Sequence, residues 1–65
     1  MRLYRYFTGP DDEKFCMRVT EALNKGWELY GNPTLTFDGK DVVAGQAVVK
    51  EVEGVFSKDM NLKEM

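Results

Sequence analysis

Histidine is absent from this 65-residue chain, and cysteine occurs once, at Cys16. One thiol cannot form an intrachain disulfide. One thiol without an imidazole cannot complete the four-ligand set of a structural zinc site. Long apolar runs are missing as well. The longest, Val42-Val43-Ala44 among them, reach only three residues and are far too short to span a bilayer. The opening residues Met1-Arg2-Leu3-Tyr4-Arg5-Tyr6 lack the apolar stretch of a secretory signal. Acids and bases are mixed along the chain and leave a net charge of −2. That balance gives no general attraction to phosphate backbones or anionic membranes. A lone cysteine without an export signal suits a reducing compartment, so a cytoplasmic location is expected.

These absences bear on stability. A domain of about 60 residues hides only about 60% of the surface its unfolded chain exposes. Chains this short commonly add disulfides, a metal or oligomerisation to the core. The first two are ruled out by composition, and self-association is the remedy left.

The residues present spell one α+β domain. Arg2 to Thr8 reads as a strand, rich in Leu3, Tyr4, Tyr6 and Phe7 and stopped by Gly9-Pro10. A helix should follow, with Pro10 at its first position and Asp11, Asp12 and Glu13 at the positive end of its dipole. Phe15, Val19, Ala22 and Leu23 make its apolar stripe, with Cys16 at the edge. Gly26 supplies the left-handed stop. Trp27 to Phe37 is the second strand region, interrupted by Gly31-Asn32-Pro33. Asp38-Gly39-Lys40-Asp41 makes a hairpin turn into Val42 to Val52. That third strand is apolar at both parities, which is the pattern of a central strand covered on both sides.

The expected fold is therefore a β-α-β-β domain over residues 1–53. Its three-stranded antiparallel sheet has the order 1-3-2, with one helix packed on one face. Residues 54–65 form a tail that is weakly structured or docks through Phe56, Met60 and Leu62.

One helix covers one face of three strands. With Trp27, Leu29, Leu35, Phe37, Val42, Ala44 and Val48 assigned to the helix side, the other face carries Tyr30, Thr34, Thr36, Val43, Ala47 and Val49. One side of the first strand joins it, with Tyr4 and Tyr6 the candidates there. That surface is the expected interface, and a two-fold dimer is its simplest occupant.

Few residues could carry chemistry. Cys16 lacks a histidine base and borders the buried stripe, so it reads as a small apolar residue. Asp11-Asp12-Glu13 reads as a response to the helix dipole, since consecutive side chains splay apart. Arg2, Tyr4, Arg5 and Tyr6 could stack bases and hold phosphates, as single-strand binders do. The acidic balance and the lack of a supporting basic stripe weigh against nucleic acid. Trp27 is expected to pin the helix to the sheet. Gln46 and Lys50 are expected to face solvent where the cover ends.

Several stretches together resemble one family. They are the Leu-Tyr-Arg-Tyr opening at Leu3 to Tyr6, Thr8-Gly9-Pro10, Val19-Thr20-Glu21-Ala22-Leu23-Asn24 and Gly26-Trp27-Glu28-Leu29-Tyr30-Gly31. Pro33-Thr34-Leu35 and Gly45-Gln46-Ala47-Val48-Val49-Lys50 complete the set. The combination is similar to short bacterial proteins of the domain of unknown function 1737 family. The resemblance implies a small bacterial protein and carries over no catalytic residue, cofactor or metal.

The functional expectation is thus a non-catalytic oligomerising or protein-interaction module that uses the open sheet face. Single-stranded nucleic-acid binding through the first strand is the alternative. A small-molecule site built across a dimer interface is a third.

Overall fold

The computed structural model of the chain describes residues 1–65, the side chain of Glu64 excepted. The elements are β1 (Arg2–Pro10), α1 (Glu13–Asn24), β2 (Glu28–Phe37) and β3 (Val42–Glu51), followed by a single 3-10 turn, Leu62–Glu64. The sheet order is β1-β3-β2, and both neighbouring pairs are antiparallel. This is the expected β-α-β-β arrangement.

The start of α1 differs from expectation, while its stop at Gly26 is as expected. Pro10 does not begin the helix; it is the last residue of β1, opposite Val43. A proline lacking an N–H is tolerated at the end of an edge strand. Asp12 is the helix cap, and its carboxylate accepts the main-chain N–H of Phe15 at 2.9 Å. That satisfies one of the four donors a helix start leaves open. At the other end Gly26 adopts φ +98° and donates to Leu23, while Trp27 N–H donates to the Ala22 carbonyl. This pair of bonds is a Schellman motif. Trp27 accordingly belongs to the helix stop and precedes β2.

The core is small. Leu3, Phe7, Ala22, Trp27 and Val48 form one buried cluster, with Phe15, Val19, Met60, Leu62 and Met65 packed against it. β1 turns Leu3 and Phe7 towards the helix and Tyr4 and Tyr6 away, which settles a choice its pattern left open. Of the tail, Met60 and Leu62 dock, whereas Phe56 stays largely exposed. Cys16 is exposed and does not share the buried margin of the helix stripe.

The helix covers less than expected. Its 12 residues span about 18 Å, whereas the 10-residue strands β2 and β3 each run to roughly 34 Å. Every residue of β2 is exposed. Leu29, Leu35, Phe37 and Val42 share the helix side of the sheet, yet none lies beneath the helix. The turn end of the sheet therefore projects past the helix as an arm, with β1 paired to β3 along it as far as Pro10 and Val43. The molecule measures 41 × 22 × 20 Å, with a radius of gyration of 13.1 Å. A compact chain of this length would have about 11 Å.

The arm ends in the predicted turn. Gly39 has φ +100°, and Asp38 accepts the N–H groups of Asp41 at 2.8 Å and Lys40 at 2.9 Å. Those bonds, Asp41's foremost, hold the Asp38 carboxyl below its ordinary value.

Candidate functional site

The register places Tyr4, Tyr6, Tyr30, Thr34, Thr36, Val43, Ala47 and Val49 on one face, the face opposite the helix. The three tyrosines are each about half exposed. Two of them have partners there. Tyr6 Oη and Thr34 Oγ1 are hydrogen-bonded at 2.9 Å, and the Arg2 guanidinium lies 5.5 Å from the Tyr30 ring centroid. Ala47 is buried within the single chain, as is Gly45 beside it. The open face is thus a tyrosine layer with polar partners of its own.

The Arg/Tyr strand is divided by the pleat. Arg2, Tyr4 and Tyr6 stand on the open face. Arg5 points to the helix side, 4.4 Å from the Phe7 ring centroid and 5.6 Å from that of Trp27. The four residues do not form one stacking platform.

On the helix side, Trp27 is buried as expected. Its Nε1 has no acceptor among the described residues. Lys50 does not simply face solvent. Its ammonium donates to the Lys25 carbonyl at 2.7 Å, at the negative end of the α1 dipole, and lies 6.0 Å from the Trp27 ring centroid. It also donates to the main-chain oxygen of Met65. Gln46 is buried, contrary to expectation, and its side-chain amide donates to the Ala47 carbonyl at 2.8 Å. A buried amide is tolerable when hydrogen-bonded, and strand pattern alone does not reveal that partner.

The feature with no internal partner is the arm. Leu29, Leu35, Phe37 and Val42 are 56%, 66%, 65% and 44% exposed on the helix side. Sequence parity grouped them correctly. The signal that they would stay uncovered was the mismatch between a short helix and two long strands. The chain exposes 5037 Å² in all, whereas a compact monomer of this mass exposes about 4,200 Å².

Among the described residues no group of three metal-ligating side chains comes together, and no helix is long and apolar enough to cross a membrane. Asp12 is occupied in capping α1.

A family model described as a domain of unknown function (DUF1737) matches residues 1–51. No curated protein and no solved structure matches the chain.

Proposed function

We propose, for a chain that belongs to the DUF1737 family, a non-catalytic interaction module that associates with a second copy of itself. The observation carrying this reading is the set Leu29, Leu35, Phe37 and Val42, uncovered on the helix side of the sheet along β2 and the start of β3. The surface excess over a compact monomer is roughly 800 Å², comparable to one partner's share of a standard interface. Part of it lies in the exposed residues Val55 and Phe56. A two-fold pairing lays the row of one copy against the same row of the other and buries both.

This places the interface on the side opposite the tyrosine face. Tyr6 has a hydrogen-bonding partner and Tyr30 a cation–π partner within the chain, and antiparallel sheets tolerate one wet face of that kind. The apolar row of Leu29, Leu35, Phe37 and Val42 has no such compensation. Pairing through the β2 edge is disfavoured by the register shift between Tyr30 and Thr34, because a bulge interrupts the ladder a neighbour would extend. The free thiol of Cys16 accords with a reducing compartment.

Amide chemical shifts followed over a dilution series test the assignment of the surface. Concentration-dependent changes should centre on Leu29, Leu35, Phe37 and Val42. Changes confined to Tyr4, Tyr6 and Tyr30 would move the interface to the open face.

A further inference from the structure

A groove of about 620 Å³ lies between the outer edge of β1 and α1, on the far side of the sheet from the arm's β2 edge. Its volume falls within the ligand-site range of about 300–1,000 Å³. Four cations line it, Arg5, Arg18, Lys25 and Lys63. The acid on its wall, Glu21, is paired with Lys25 at 3.2 Å. Among the described residues no carboxylate lies within ion-pair distance of Arg5, Arg18 or Lys63. This concentration of positive charge occurs on a chain whose net charge is −2.

One wall of the groove is an unpaired strand edge. Met1 and Val52 exchange both main-chain hydrogen bonds, and Asp11 N–H donates to the Val42 carbonyl. Antiparallel pairs alternate between bonded and non-bonded. With the observed register, Leu3, Arg5 and Phe7 therefore bond to β3, and Arg2, Tyr4, Tyr6 and Thr8 point their N–H and C=O groups outward. The Thr8 carbonyl is taken by Arg18 at 3.0 Å, which closes that end. Tyr4 and Tyr6 present their main-chain groups to the groove.

We propose that this groove binds an extended acidic segment of a partner polypeptide, which adds to β1 as a fourth strand. Strand addition beside a helix draws affinity from main-chain bonds and specificity from alternate side chains. An added strand runs about 4.8 Å from β1 and bonds to Tyr4 and Tyr6. Its side chains on the helix side meet Arg5, Arg18, Lys25 and Lys63. Those on the other side lie beside the Tyr4 and Tyr6 rings. The recognised pattern is therefore acidic and apolar residues in alternation. A second copy of this chain is a poor occupant, because its own β1 would bring Arg2 and Arg5 against like charges. The surface is separate from the exposed apolar row of Leu29, Leu35, Phe37 and Val42, so the two proposals stand or fall independently.

The test uses a short, end-blocked, fluorescent peptide of alternating glutamate and valine. A lysine–valine peptide serves as the control. Anisotropy should show saturable binding of the glutamate peptide only. Charge reversals at exposed positions, Lys25→Glu and Lys63→Glu, should each weaken it on the order of five-fold. Hydrogen exchange distinguishes strand addition from loose charge attraction: the Tyr4 and Tyr6 amides should exchange freely in the unbound protein and slow on binding. Wild-type protein suffices for that readout, so it does not depend on a variant folding. Equal binding of both peptides would overturn the proposal. So would binding without protection of those amides, or protection that appears with protein concentration alone.

Discussion

Tyr6 Oη lies 2.9 Å from Thr34 Oγ1, so the two outer strands are tied across Gly45 of the central strand. A Cβ built at Gly45 would fall 2.6 Å from Thr34 Oγ1 and in direct clash with the Tyr6 hydroxyl. The bridge exists because the residue beneath it has no side chain.

Gly45→Ala should therefore break the bridge and displace the Tyr6 ring. A displacement of this kind typically costs about 1–3 kcal/mol, offset by roughly 0.5–1 kcal/mol from replacing a strand glycine. The expected net loss is about 1 kcal/mol, read from the urea midpoint. Tyr6→Phe, which removes only the hydroxyl, should lose about 0.5–1 kcal/mol. If Gly45→Ala is neutral while Tyr6→Phe destabilises, the clash is relieved more cheaply than the geometry implies.

The stop of α1 makes a second prediction. Gly26 holds φ +98°, with the Lys50 stem 3.4 Å from the position a Cβ would take. Gly26→Ala should cost about 1–2 kcal/mol from the left-handed backbone. That corresponds to a drop of roughly 4–8 °C in Tm per kcal/mol for a domain of this size. Lys50→Met keeps the stem over Trp27 but removes the donor to Lys25. It should cost about 0.3–1 kcal/mol, less at high salt. An Lys50→Met protein with unchanged Tm at low salt would remove the ammonium from the account of the helix end.

The turn makes a third, through pH. Asp38 is held below its ordinary carboxylate value by the N–H groups of Asp41 and Lys40. A depressed value in the folded state means the ionised form stabilises the turn. That contribution is complete above the unfolded value of about 3.9, and it is lost as pH falls through the lower folded value. The stability gap between wild type and Asp38→Ala should therefore be largest near neutrality and shrink in acid. The carboxyl carbon of Asp38, followed by NMR, should titrate below the ordinary aspartate midpoint. A midpoint at or above that value would contradict the turn geometry.

Much of this fold is legible in the sequence, for reasons that are local. Asp38-Gly39, Gly26 and the two-sided apolar pattern of Val42 to Val49 each require a particular backbone or position, and each was found there. Pro10 misled because a proline that suits a helix start suits a strand end equally well. Cys16 and Gln46 misled because burial there depends on how far the helix reaches and on a main-chain partner. The candidate face was legible as a set of residues, since strand parity fixes which side chains travel together. How far the helix reaches, and so which apolar residues it leaves uncovered, is not signalled by strand spacing. Tyr6 meets Thr34, and Arg2 meets Tyr30, only once the strands are aligned. The four-cation groove joins residues from β1, α1 and the tail, which no local spacing signals.

The most direct test of self-association through the arm is the solution mass by light scattering behind a sizing column, across micromolar concentrations. Wild type should approach the mass of two chains as concentration rises. Leu35→Glu, on an exposed position of an exposed strand, should stay at the mass of one while keeping its circular dichroism. A wild-type protein that remains a single chain throughout would contradict the account, as would a Leu35→Glu protein that still pairs.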